Sequence, residues 1–350
     1  MHLSELFGQE AAVEALRRAL EAETLSGAYL FIGQNGVGKG AVARAFSQAA
    51  MCLQPQHIPF DSCGVCDSCR RFDNGTHPEL MTVAPAGEQI QIWQLWTREG
   101  RPARGILSDT LNYSPLLGKR RVYLIEQAET LNESAANSLL KVLEEPPPYA
   151  VFILLAPHPA RVLPTIVSRS QMVRLNAVPV AELTAYLQTV HTIEPDRAGM
   201  LASYSEGRVG QAVQMANTVA VGEEIGRILD FAETLAQSPR TRALRLAEQL
   251  RKQAAQVKAL AGNMAEASES GDEESTSKEK VGRKQYAAVF DVLTVFYRDL
   301  LALRIATTGT PPIVNRDRAA PMLRIAAMQE PAHWMRCLDS LLLARRRLYA

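Results

Sequence analysis

The stretch GQNGVGKGAV, residues 33–42, constrains this chain more than any other segment. Gly33, Gly38 and Lys39 reproduce the pattern G-x-x-x-x-G-K. The apolar, β-type run AYLFI (28–32) precedes it and the helical pattern AVARAFSQAA follows. Strand, glycine-rich turn and helix in that order predict a phosphate-binding loop, in which backbone N–H groups at a helix start cradle phosphate oxygens and Lys39 adds a point charge. The eighth position breaks the pattern. A Ser or Thr hydroxyl there ligates the Mg²⁺ that bridges the outer phosphates, and Gly40 has none. The fold is therefore legible, while ATP or ADP binding stays an open expectation.

The surrounding pattern supports an α/β class. Further β-type runs, LMTV (80–83), VYLI (122–125), VFILLA (151–156) and MVRL (172–175), alternate with helical patterns, as in a parallel sheet covered by helices. In LNESAANSLLKVLEEPPP, Ala136, Leu139, Leu140 and Leu143 recur at helical spacing, and Pro146, Pro147 and Pro148 stop the helix. After Pro179 the β-type runs cease. VAELTAYLQTV and GRVGQAVQMAN read as short helices joined by a polar link around Glu194–Asp196. From Glu223 the pattern stays helical, except for the Ser- and charge-rich AEASESGDEESTSKEK (265–280), read as a mobile loop. The last stretch sets Leu338, Leu341, Leu342 and Leu348 on one helical face, with Arg345, Arg346 and Arg347 read as its wet side.

A chain of 350 residues predicts two or three domains. The balance of 38 Lys+Arg against 37 Asp+Glu removes an overall basic field, so nucleic-acid contact requires a local patch. Acidic residues near the start, and the absence of an apolar run of about 18 residues, lead to the expectation of a cytoplasmic protein with no membrane partner.

Four of the five cysteines crowd one stretch: Cys52, ten residues, Cys63, two residues, Cys66, two residues, Cys69. Four soft thiolates suit tetrahedral Zn²⁺, and a closed shell implies a structural role. Free thiols, or His57 or His77 in place of one ligand, are the alternatives. Cys337 reads as a core thiol.

The strand VYLI runs into Glu126 and Gln127, where a P-loop enzyme needs a metal-holding acid and then a general base. Glu126 keeps a carboxylate. Gln127 takes up no proton at neutral pH, and loss of a positioned base costs about 10²–10⁴-fold. Ala156 and Pro157 stand where a polar sensor pair is expected.

With these pieces placed, the chain resembles the bacterial DNA polymerase III clamp loader family, nearest in pattern to its delta-prime branch. The resemblance rests on LFGQEAAVEAL, GAYLFIGQNGVGKG, the cysteine insertion, NSLLKVLEEPP and PTIVSRS in order. It implies an AAA+ P-loop core over 1–177 with the zinc insertion (52–69), a small helical lid over 178–218 and an all-α collar over 219–350. It further implies a ring of five with ATPase subunits and a delta-like subunit, indirect contact with the sliding clamp, and primed DNA held within the complex. The delta-prime branch is a non-hydrolysing member that lends an arginine to a neighbour from a Ser-Arg-Cys motif. Ser168 and Arg169 match it; Ser170 departs from the Cys. Arg208 falls where active members carry a lid sensor arginine.

Two other functions compete with this one. The first is an active ATPase of gamma/tau type, kept alive by Glu126. The second is a zinc-dependent DNA-binding module using Arg98, Arg101, Arg104 and the run Lys119-Arg120-Arg121, the latter read as an exposed turn.

Overall fold

A computed structural model of the chain describes residues 2–57, 59–97, 105–262, 274–306, 311 and 313–348. Arg98, Arg101 and Arg104 lie outside the described residues. The chain forms two compact units, the first ending at Ala177 and the second starting at Val178.

The first unit is built on a parallel sheet of β1 (Ala28–Ile32), β4 (Leu80–Val83), β5 (Arg121–Ile125), β6 (Ala150–Ala156) and β7 (Gln171–Arg174), in the spatial order β4-β5-β6-β1-β7. The small antiparallel pair β2 (Gln56–His57) and β3 (Phe60–Asp61) belongs to the cysteine insertion. Every residue of β1, β5 and β6 is buried. That is why these strands read as unbroken apolar runs: a parallel strand covered on both faces has no polar side to alternate with. Tyr29 and Phe31 point into one core layer with Val42 and Phe46 of the helix Lys39–Met51. Leu30 and Ile32 point into the other, with Leu139 and Leu143 of the helix Glu133–Glu144. Asn132 caps that second helix by accepting from Ala135 N at 2.8 Å, and Leu140 is only half-buried.

Crossovers return each strand in the same direction, so the C-terminal ends of β1, β5 and β6 line one edge. The loops that follow them meet there. This is the P-loop α/β arrangement of the AAA+ class.

One part of the basic run reads differently in the structure. Arg121 is not in an exposed turn: it is 4 % exposed and opens β5. Its Nε donates to Glu79 Oε2 at 2.5 Å, and its Nη1 donates to Thr110 O and, at 2.8 Å, to Tyr113 O. Glu79, fully buried, also accepts from Leu116 N and Leu117 N. A distant acid thus pulls inward a cation that local pattern places outside.

Among the described residues the second unit is entirely helical. In the helix Val219–Gln237, Val221, Ile225, Ile228, Leu229 and Ala232 are buried at helical spacing. The supposed link at Glu194–Asp196 instead starts a helix, Pro195–Tyr204, with Pro195 in its first turn and Glu194 capping Arg197 N at 3.1 Å. Likewise, the helix Glu274–Ile305 takes in the end of the stretch expected to be a loop; 265–273 lies outside the described residues. In the helix Pro331–Arg347 the inward face runs through Trp334, with Leu338 and Leu341 half-buried and Leu342 exposed. Arg345 belongs to that face and pairs with Asp291 at 2.7 Å. No helix of the described residues is long and apolar enough to cross a membrane.

Because Glu79 and Arg121 neutralise each other out of water, Glu79→Ala strands a buried guanidinium. It is expected to cost about 3–5 kcal/mol of stability, read from urea unfolding of the full chain.

Candidate nucleotide and metal sites

The phosphate loop leaves β1 under close steric control. A Cβ on Gly33 would come 2.4 Å from Leu175 O, so the backbone passes only because that residue has no side chain. Gly33 N donates to Ala156 O at 3.2 Å, which sets the loop beside the end of β6. Gly38, at φ +108°, turns the chain into the helix Lys39–Met51 in a conformation that L side chains rarely adopt. Strand, loop and helix start therefore have the shape that the motif predicts.

Lys39 folds over this loop. Its Nζ donates to Gly33 O at 2.5 Å, Gln34 O at 3.1 Å and Asn35 Oδ1 at 3.3 Å. Burial lowers its pKa to about 8, against an opposing pull from Glu129. Around Gly40 the space is open: nothing stands within 4 Å of where a Cβ would be. The missing hydroxyl is thus a matter of residue identity, and no neighbour has filled the gap.

At the end of β5, Glu126 N donates to Val83 O at 2.9 Å. Gln127 adopts a left-handed backbone, φ 52°, held by Thr130 N and Thr130 Oγ1, which both donate to its carbonyl. Ala156, the last residue of β6, carries only a methyl and is buried in the core layer of Leu30 and Ile32. Sequence reading missed Glu129, two residues past Gln127. Its Oε2 is buried without a hydrogen-bond partner, and burial raises its pKa while Lys39 and Arg161 pull it back. Glu129 and Arg161 line a cavity of about 220 Å³ whose remaining walls are largely apolar, including Val162 and Ile166. An acid following a strand-end carboxylate was the available signal.

Arg169 stands beyond the short helix Pro164–Val167, its Nε donating to Glu144 Oε1 at 2.9 Å. Ser168 Oγ donates to Thr165 O at 3.1 Å, and Ser170 Oγ to Ile166 O at 2.9 Å. Arg208 belongs to the second unit, where its Nε donates to Ser205 O at 2.8 Å and Glu206 lies 3.8 Å from its Nη2.

The four cysteines converge. Their sulfurs all lie within 4.8 Å of one another. Cys52 Sγ is 3.6 Å from Cys63 Sγ, 3.9 Å from Cys66 Sγ and 3.6 Å from Cys69 Sγ. Zn–S bonds of about 2.3 Å in a tetrahedron put sulfurs about 3.8 Å apart, so the thiols are spaced to bind a metal ion. Cys63 N donates to Cys52 Sγ and Cys66 N to Cys63 Sγ, both at 3.3 Å, while burial pushes the Cys52 thiol up to about 11. His77 is no ligand. Its Nε2 meets Ser68 Oγ at 2.9 Å and its Nδ1 accepts from Glu79 N at 3.1 Å. Cys337, half-buried in the second unit, lies 3.7 Å from His333 Nε2.

Asp61 ties the insertion to the start of the chain. It accepts from Leu3 N at 3.1 Å and Ser4 N at 2.9 Å, and Arg17 lies 3.8 Å away.

A parallel sheet with a phosphate-type loop, a four-thiol insertion and a helical second unit defines a P-loop protein of the AAA+ class. A family profile described as "DNA polymerase III, delta subunit" matches residues 8–179. The tau subunit of DNA polymerase III from Escherichia coli (strain K12) is 31% identical over 226 residues, covering 63% of this chain and 33% of its own. The delta-prime subunit from Bacillus subtilis (strain 168) is 29% identical over 229 residues, covering 65% of each. This chain is similar to subunits of DNA polymerase III, through residues 8–179 for the profile and through 63–65% of its length for these two relatives. It spans about a third of the tau relative's length and 65% of the delta-prime relative's. Among solved structures, a DNA polymerase III gamma subunit-related protein of Thermotoga maritima overlaps 96% of this chain and 99% of its own at 22% identity, with a TM-score of 0.41.

Two outcomes follow from the loop geometry. Gly40→Ser is expected to leave the thermal midpoint unchanged or raised, whereas Gly33→Ala, driven against Leu175 O, is expected to lose about 1–3 kcal/mol in the same melts. ADP affinity, measured by titration calorimetry across pH, is expected to be level below about pH 8. Above it, binding has to take up the Lys39 proton, so affinity falls by up to about tenfold per pH unit.

Proposed function

We propose that this chain is a delta-prime-type subunit of a DNA polymerase III clamp loader. In this reading it hydrolyses no ATP and serves a neighbouring ATPase subunit through Arg169. The observation that carries it is the contrast within one sheet edge. The phosphate loop keeps its glycines and its lysine, yet Gly40, Gln127 and Ala156 supply neither metal hydroxyl, nor base, nor polar sensor. Arg169 sits at a different place on the same unit, partly exposed, in the Ser-Arg-Ser sequence that matches the family's arginine motif.

The reading places the chain in a five-membered ring with ATPase subunits and a delta-like subunit. There it acts as a stationary member, the sliding clamp is engaged indirectly, and primed DNA is held through phosphates inside the ring. In this reading ATP or ADP on its own loop is a structural ligand bound by Lys39 and the loop amides. Cys52, Cys63, Cys66 and Cys69 would hold one structural Zn²⁺, which supplies a covalent cross-link in place of an apolar core. The burial of Arg121 removes it from any phosphate-binding patch, which weighs against a stand-alone DNA-binding module.

A second reading, an active gamma/tau-type ATPase, is favoured by the 31% identity to a tau subunit and by the carboxylate of Glu126. ATP turnover separates the two. The chain alone is expected to be inactive, and Arg169→Ala is expected to depress turnover of a reconstituted loader, by up to about 10³–10⁵ at the one site that it serves. Turnover by the chain alone, unaffected by that substitution in the loader, would put the active ATPase first.

Metal analysis of the purified chain is expected to find one zinc. Cys69→Ser should lose it and loosen the insertion and the segment that Asp61 anchors, seen as faster amide exchange around residues 2–5 and 60–70.

A further inference from the structure

Arg169 is held by its own chain through most of its hydrogen-bonding capacity. A guanidinium has five N–H groups. The Nε hydrogen and one Nη2 hydrogen go to Glu144 Oε1, and the two Nη1 hydrogens go to Thr165 O at 3.0 Å and Ser168 Oγ at 3.3 Å. One Nη2 hydrogen is left. A fork-like contact with a phosphate needs two parallel N–H groups, so Arg169 in this pose presents too few.

Glu144 is placed to hold it. It is the final residue of the helix Glu133–Glu144, ahead of Glu145 and the prolines that end the helix, and the helix C-terminus adds its own attraction for a cation. The contact is nevertheless a loose one. The side chains of Arg169 and Glu144 are 33% and 49% exposed, and ion pairs in such settings shift an equilibrium by only about 1.4- to 5-fold. A dianionic phosphate, with more charge and more acceptors than a carboxylate, outcompetes it.

We propose that Glu144 is a latch: it parks Arg169 against its own chain until the phosphate of a nucleotide on a neighbouring subunit takes the guanidinium over. This rests on the reading of Arg169 as an arginine supplied in trans. Glu144 is then a positioning residue, and it makes arginine delivery depend on an occupied neighbour.

The test is Glu144→Gln, which keeps the shape and removes the charge, beside Arg169→Ala. Both are assayed for ATP turnover in the reconstituted loader and checked for unchanged thermal midpoints. In the free chain, hydrogen exchange at the Arg169 Nε–H, followed by NMR, reads the latch without catalysis. The latch predicts faster Nε–H exchange in Glu144→Gln and loader turnover raised by about 1.4- to 5-fold at subsaturating ATP. It also predicts that raising ionic strength narrows the difference between wild type and variant, since salt screens the pair. If Glu144→Gln lowers turnover as Arg169→Ala does, Glu144 supports the working pose and the latch is overturned. If Arg169→Ala depresses turnover while Glu144→Gln matches wild type, the latch alone fails. If Arg169→Ala changes nothing, the trans-arginine reading fails and the latch falls with it.

Discussion

The passage of Gly33 beneath the carbonyl of Leu175 fixes where the phosphate loop leaves the sheet, and the rest of the nucleotide edge is built around that crossing. The strand before it is buried on both faces between β6 and β7, so β1 has no freedom to shift. A larger residue at 33 would push the loop off the sheet. The edge therefore keeps its shape irrespective of what the neighbouring side chains can do chemically. A loop held in this way keeps its geometry whatever residues stand at 40, 127 and 156.

Charge at that edge is balanced within the protein. Lys39 is satisfied by two loop carbonyls and Asn35, and the half-buried Glu129 acts on it through its charge. Each is held partly away from its usual ionisation by burial, and each eases the other back. A phosphate entering the loop has to displace carbonyl contacts that the lysine already makes. The arginine of the Ser-Arg-Ser stretch is in a similar condition, since its hydrogen bonds too are made within the chain. Both cations are held at moderate strength, so contact with a ligand becomes an exchange of partners, with no bare charge created.

Elsewhere the structure relies on acids that collect backbone N–H groups from distant segments. Asp61 binds the start of the chain to the cysteine insertion. Glu224 accepts from Lys258 N, Ala259 N and Leu260 N and so caps a short helix far along the chain. Asp299, fully buried, accepts from Val314 N, Asn315 N and Asn315 Nδ2. Each satisfies N–H groups that would otherwise be stranded out of water, a large cost in a low-dielectric interior.

Local pattern determined a good deal by itself. A strand buried on both faces leaves an apolar run, a phosphate loop leaves its glycines, and a four-thiol cluster leaves its spacing. For that reason the sheet strands, the loop and the convergence of Cys52, Cys63, Cys66 and Cys69 were all readable in one dimension. The helix begun by Glu194 and Pro195 carried its start signal too, in a form that polarity alone disguised as a link. What the tertiary structure alone decided are the pairings across long separations: Arg121 drawn inward by Glu79, Arg345 by Asp291, Arg169 by Glu144, and Glu129 brought under the charges of Lys39 and Arg161 with its Oε2 unbonded. Whether an ionisable side chain is solvated, paired or stranded depends on which distant group the fold brings within a few ångströms. Electrostatic energy depends on that distance and on the surrounding dielectric, and neither is written in the order of the residues.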